Sequence, residues 1–189
     1  MCILVDMYPL THSRHRGFTL IELLVTIAII GILASVMIIS FSNMYHSALE
    51  ARAKAETRSF AMTMHTYFAT NGHYPENADR EAPAGLEPYL TGGIWPDAPW
   101  PESVYDWDNW NIDGEQVVQL SVRFCPVGGP LSDCTFPTTH WAENFDVNSA
   151  FFYCFEGPCR SHENENHNYP GYCMNCGCRE METCYFSDE

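Results

Sequence analysis

The sequence predicts an α+β protein. A long N-terminal α-helix, half transmembrane and half amphipathic, packs on a small antiparallel β-sheet head, followed by a disulfide-rich irregular C-terminal region. Three observations predict it. Phe18–Phe41 is an apolar run whose only charge is Glu22. Ser42–Thr70 contains no Gly or Pro and is rich in Ala, Met, Glu, Lys and Arg, all good helix formers. Gln116–Phe124, "QVVQLSVRF", alternates apolar and polar side chains as a half-buried strand does.

The apolar run comes first. A bilayer core needs about 20 residues at 1.5 Å rise, and 18–41 meets that length. Arg14 and Arg16, with His12 and His15, flank its N-terminal end. The positive-inside rule then places the N-terminus in the cytoplasm and residues 42–189 outside. No small-residue cleavage site of the ordinary secretory type follows Phe41. The small residue instead precedes the run, at Gly17, and Phe18, three further residues and Glu22 follow. Ala28, Gly31, Ala34 and Ser35 are small residues that allow helices to approach closely.

The stretch "GFTLIELLVTIAIIGILAS" resembles the class III signal of type IV pilins and type II secretion pseudopilins. That resemblance implies a leader, residues 1–17, cut by a prepilin peptidase between Gly17 and Phe18, with methylation of the new Phe18 amine. It implies that Glu22 pairs with the N-terminal amine of a neighbouring subunit in a filament. It also implies the type IV pilin fold, a single-pass place in the inner membrane with the head in the periplasm or outside the cell, and an inner-membrane assembly platform as partner. An acid near a helix end costs less than the about 2.5–3.5 kcal/mol of one at mid-membrane, so the monomer tolerates Glu22. Many members of the family carry a proline near the twenty-second mature residue. Here that place holds Ile39, and no proline occurs between Phe18 and Tyr74. Translation from Met7 instead of Met1 shortens the leader to "MYPLTHSRHRG".

Residues 42–72 continue the helix. Tyr45, Leu49, Ala53, Phe60, Met64 and Tyr67 recur at helical spacing as one apolar stripe, interrupted by Glu56. Glu50 and Lys54 form an i, i+4 pair. Asn71-Gly72 suits a C-cap and Pro75 forbids continuation. The head, 73–155, opens with a Gly- and Pro-rich loop holding one short turn at Gly85–Leu90. Its Gly-x-Tyr-Pro and Gly-Leu-x-x-Tyr-Leu segments resemble those of the major pseudopilin of type II secretion. Strands are expected at Val104–Trp107, Gln116–Phe124 and Ala150–Phe155, with Val118, Leu120, Val122 and Phe124 turned to the long helix. Beyond Gly157, in 156–189, no regular structure is legible.

Nine cysteines are many for this length. Cys2 precedes the membrane run. Cys125, Cys134, Cys154, Cys159, Cys173, Cys176, Cys178 and Cys184 all lie beyond it, and an oxidising compartment favours disulfides among them. Eight cysteines allow about 105 pairings. Cys125 and Cys134 bracket a turn-rich stretch, as do Cys154 and Cys159. The alternative is a zinc site using the Cys173-x-x-Cys176 spacing with His162 and His167. The tail has little apolar content, so crosslinks supply what a core cannot.

The charge balance is acidic: 24 acids against 9 bases, net −15. Only Asp6, Glu22, Glu50 and Glu56 precede Ser59, leaving twenty acids after it against Arg80, Arg123, Arg160 and Arg179. Nucleic acid is excluded, since phosphates demand a basic surface. "YDWDNWNIDGE" sets Asp106, Asp108, Asn109, Asp113 and Glu115 close together. Oxygen donors at alternate positions before a Gly suggest a calcium loop at Asp106, Asp108 and Asp113, without the EF-hand spacing. The major pseudopilin resemblance also implies calcium in the head loops, and no cofactor is otherwise required. The other reading is a solvated acidic loop. No G-x-S-x-G, H-E-x-x-H or phosphate loop occurs, so no enzyme is expected. Trp95, Trp100, Trp107, Trp110 and Trp141 suit a core better than sugar stacking. The expected function is a structural subunit of a type II secretion pseudopilus or a type IV pilus-like filament. The alternative is a membrane-anchored calcium- or carbohydrate-binding module.

Overall fold

The computed structural model describes residues 17–112, 114–161, 170–176 and 186–187. The expected leader before Gly17, Asp113, His162, His167, Cys178 and Cys184 lie outside the described residues. The elements are α1 (Leu20–Asn71), β1 (Val104–Ile112), β2 (Glu115–Arg123), β3 (Ala150–Glu156), β4 (Gly171–Met174) and β5 (Phe186–Ser187). Short 3-10 turns stand in the connections, one of them, Glu87–Tyr89, within the expected turn. The chain divides between Ser42 and Asn43 into two compact units.

In the first unit, α1 is apolar on all sides, and its described side chains are exposed. Leu20, Ile21, Ile27, Ile30 and Ile32 each expose more than 60 % of their surface. The hydroxyls of Thr26 and Ser35 fold back on the helix. Thr26 Oγ1 donates to Leu23 O (2.8 Å) and Ser35 Oγ to Ile32 O (2.7 Å), so neither seeks an outside partner. Among the described residues no helix is long and apolar enough to cross a membrane.

In the second unit, α1 buries Ala53, Thr57, Phe60, Met64 and Tyr67, a 4-3-4-3 spacing that keeps one face on the sheet. Tyr45, the first member of the expected stripe, is exposed, and Leu49 is the first that packs on the core. Glu56 interrupts the stripe because it serves the sheet: the Tyr105 hydroxyl donates to its Oε2 at 2.8 Å. Burial and this bond both push the Tyr105 phenol up. The helix ends as its sequence predicts. Asn71 Nδ2 donates to Tyr67 O (2.9 Å), and Gly72 takes φ 77°, which a Cβ would oppose.

The sheet order is β1-β2-β3-β4-β5. β1, β2 and β3 pair antiparallel, as expected. β4 and β5 add in parallel, and they come from the tail that shows no regular pattern in the sequence. Gly171 permits this: a Cβ there would stand 2.7 Å from the Phe152 ring. The strand alternation divides the side chains cleanly. Tyr105, Trp107, Val118, Leu120, Val122, Phe124, Phe151, Tyr172 and Met174 form the main core with the helix stripe. Trp100 and Trp141 join it, so three of the five tryptophans are core residues. The opposite face carries Asp106, Asp108, Gln119, Ser121 and Arg123 beside a second cluster of Val117, Phe152, Cys154, Cys159 and Cys173.

Candidate functional site

Two places concentrate chemistry. The first is the start of α1. Thr19 O accepts the first helical bond, from Leu23 N (3.2 Å), which makes Thr19 the N-cap. Glu22 Oε2 accepts from Thr19 N (2.9 Å) and from Thr19 Oγ1 (2.7 Å), and Glu22 N donates to Thr19 Oγ1 (3.3 Å). This is a reciprocal capping box, and it satisfies helix-start donors that otherwise lack partners. Glu22 therefore has a local role in the single chain, with its carboxylate at the positive end of the helix dipole. The Thr-x-x-Glu spacing before an apolar run is the sequence signal for it. Gly17 and Phe18 precede the cap, exposed and outside the helix.

The second place is the outer face of the sheet. Asp106 and Asp108 lie on β1 and not in a loop, because strand pairing extends β1 through Ile112. Their alternate spacing is the period of two that puts both on one face. Register sets Asp106 against Ser121 and Asp108 against Gln119, and Arg123 reaches between them from β2. Arg123 Nε donates to Asp106 Oδ2 (3.1 Å), and its Nη2 lies 3.8 Å from Asp108 Oδ2. Arg123 Nη1 donates to Asn148 O (3.2 Å) and also to Ser161 O. Arg80 N donates to Asp106 Oδ1 (2.8 Å), and Arg80 Nη1 donates to Cys125 O. Asp108 Oδ2 accepts from Gln119 Nε2 (3.0 Å) and Ser121 Oγ (3.2 Å).

All three central side chains are buried. Burial pushes the Asp108 carboxyl up to about 7, against the opposing pull of Arg123 and with a further push from Asp106. Burial, and then the Arg123 charge, lower Arg80. A cavity of about 500 Å³ opens over this cluster. Trp110, Pro126, Val127 and Val147 form its apolar walls, with Asn77 and Asp79 also lining it. Arg80 and Arg123 had no place in the expected ligand set. They lie 26 and 17 residues from Asp106 and meet it only through folding. A guanidinium thus stands where a calcium ion would neutralise these acids. Among the described residues no group of three His, Cys, Asp or Glu is placed to hold a metal ion. Asp113 lies outside them.

Three disulfides form among the described cysteines: Cys125–Cys134, Cys154–Cys159 and Cys173–Cys176. The first two close the turn-rich stretches that the sequence brackets. The third engages the two cysteines of the alternative zinc spacing. Cys154–Cys159 ties the end of β3 to the segment that covers the outer face, where Gln119 Nε2 donates to Arg160 O (2.7 Å) and Arg160 N to Gln119 Oε1 (3.0 Å).

Comparison with known proteins bears on the first site. Residues 12–38 match the family described as "Prokaryotic N-terminal methylation motif". The chain is 35 % identical over 68 residues to the type IV major pilin protein PilA of Myxococcus xanthus (strain DK1622), covering 36 % of this chain and 31 % of that protein. It is 42 % identical over 68 residues to the type IV major pilin protein PilE1 of Neisseria gonorrhoeae, covering 35 % and 40 %. It is 34 % identical over 63 residues to the type II secretion system core protein G of Escherichia coli (strain K12), covering 33 % and 43 %. The chain thus spans well under half the length of the relatives it matches. No solved structure matches it. Over residues 12–38 the chain carries the prokaryotic N-terminal methylation motif, and over about a third of its length it is similar to type IV major pilins and to a type II secretion system core protein.

Proposed function

We infer that the protein is a pilin-like structural subunit of a type II secretion pseudopilus or a type IV pilus-like filament, and not an enzyme. Residues 18–41 serve first as a single-pass anchor in the inner membrane, with the head on the far side. A prepilin peptidase then cuts between Gly17 and Phe18 and the Phe18 amine is methylated. The subunits polymerise through the apolar part of α1, on an inner-membrane assembly platform.

The observation that carries this reading is the contrast between the two units. In the second unit α1 hides one stripe, but in the first it leaves large apolar side chains exposed all round, Leu20 and Ile32 among them. A helix that is apolar all round needs lipid or other helices about it. Its single acid is held by the capping box at the very start, four residues beyond Phe18, where cleavage would create an amine. In a water-poor bundle the amine of a neighbouring subunit adds the positive charge that the helix dipole supplies only in part.

Two experiments test it. Mass spectrometry of the natural protein should find Phe18 as a methylated N-terminus; a chain retaining its first seventeen residues overturns the reading. Glu22→Val should insert in the membrane as the parent does and fail to enter filaments. Unimpaired assembly of that variant removes the role given to Glu22.

A further inference from the structure

Where α1 ends at Asn71, the sheet runs on. Tyr105 and Trp107 on β1, opposite Val122 and Leu120, belong to the main core with the helix stripe. Further along the same face stand Asn109 opposite Val118 and Asn111 opposite Gln116. The apolar row thus turns to amides where the helix runs out. A cavity of about 500 Å³ opens there, with Phe68, His73 and Tyr74 on the helix side and the amide row on the other.

The two sides differ in chemistry. Phe68 is 41 % exposed, and its ring centre lies 4.7 Å from that of Tyr74, which packs in turn on Trp107 and Phe155. The amide row is held in place. Asn109 Nδ2 donates to Pro75 O (2.6 Å), and Gln116 Nε2 donates to Asn109 Oδ1. Asn111 Oδ1 accepts from Gly114 N (3.2 Å), which leaves its amide N–H groups for another partner. Gln116 Oε1 and the carboxylates of Glu76 and Glu156, also at the cavity, accept no hydrogen bond among the described residues. His73 Nδ1 lies 2.8 Å from Tyr74 O. A carbonyl only accepts, so Nδ1 carries the proton and Nε2 of the neutral ring is another acceptor. The polar lining is therefore rich in acceptors, and it contains no Lys or Arg.

We propose that this cavity binds a pyranose sugar, with one C–H face on the Phe68 ring and its hydroxyls on Gln116, Asn111 and the two glutamates. A sugar ring supplies what the lining lacks, a row of O–H donors, and it also accepts from Asn111. Its axial C–H groups are weakly positive and suit the negative face of an aromatic ring. An anion finds no cation here. A purely apolar ligand would strip water from the carboxylates and amides with nothing in return. An aromatic wall with a few fixed polar groups is the usual make-up of a small-molecule site. None of these residues serves in the assembly reading above, so the two stand or fall separately.

The test uses the full chain in a polyoxyethylene detergent, which has no sugar headgroup. NMR follows the side-chain amide signals of Asn111 and Gln116, assigned with Asn111→Ala and Gln116→Ala. The probes are maltose, cellobiose and N,N′-diacetylchitobiose. At least one should shift both signals saturably, and sorbitol, a polyol without a ring face, should not at equal concentration. Phe68→Ala should weaken binding by at least about tenfold, and Phe68→Tyr should keep it. Should Phe68→Ala misfold, Asn111→Ala changes an exposed side chain and should weaken binding about fivefold, read at Gln116. Silence with all three disaccharides, an equal shift with sorbitol, or binding that neither Phe68→Ala nor Asn111→Ala weakens overturns the proposal.

Discussion

Replacing Arg123 by methionine removes the one cation placed between two buried carboxylates while keeping most of the side-chain volume. Arg123 is 8 % exposed and gives bonds to Asp106, Asn148 O and Ser161 O. In the variant Asp108, whose carboxyl already titrates at about 7, can take up a proton. Asp106 Oδ2 loses the guanidinium it meets, while its Oδ1 keeps only the Arg80 N–H. Stranding one partner of a buried pair costs about 3–5 kcal/mol, a large share of the about 5–15 kcal/mol that holds a domain together. With a urea slope of about 2 kcal/mol per M, the unfolding midpoint should fall by about 2 M. Tryptophan fluorescence reports it, because Trp100, Trp107 and Trp141 are core residues. The Asp106→Asn/Asp108→Asn/Arg123→Met triple variant removes the stranded charge and should recover more than half of the loss. A fall below about 0.5 M in the single variant, or no recovery in the triple, refutes the argument that this network is held by charge compensation.

Three further outcomes are expected. Asp108 is raised in the folded head from an ordinary 3.8 to about 7, so its contribution is fully present below the ordinary value and is lost as pH rises through about 7. Urea midpoints at pH 5 and pH 8 should therefore differ, and Asp108→Asn should shrink the difference. Gly157→Ala places a Cβ 1.9 Å from Gln116 O at φ 79°, and the head should lose more than about 2 kcal/mol, read from the same unfolding curves. Cys154→Ser/Cys159→Ser opens a loop of separation 5 and should cost about 2 kcal/mol, which differential scanning calorimetry reports.

Local signals carried most of the fold. The helix stripe from Leu49 to Tyr67 and the alternation of Val118, Leu120 and Val122 each reveal a buried face, because burial at a fixed period is written in consecutive residues. Cys125/Cys134 and Cys154/Cys159 are legible for the same reason, since each pair closes its own short turn. The capping box is equally local, but the place of Glu22 in a long apolar run directs attention to an intermolecular partner and away from Thr19. The charged cleft is different. Asp106 and Asp108 look like ligands at alternate positions until β1 pairs with β2 and brings Arg123 between them. No spacing along the chain announces that meeting, nor the Arg80 N–H that reaches Asp106. β4 is hidden too. Four residues carry no readable period, and their place is set by Phe152 and Ser161 closing over Gly171.

The parallel docking of β4 on β3 dictates an order of events. β3 cannot receive β4 by a simple reversal of direction, so the intervening chain must travel back to the level where β3 began. Until residues 171–174 are synthesised and in place, the rim of β3 offers unpaired backbone to any passing strand. The folding head is therefore most vulnerable to aggregation before β4 docks, and a variant lacking residues 171–174 should expose that rim permanently.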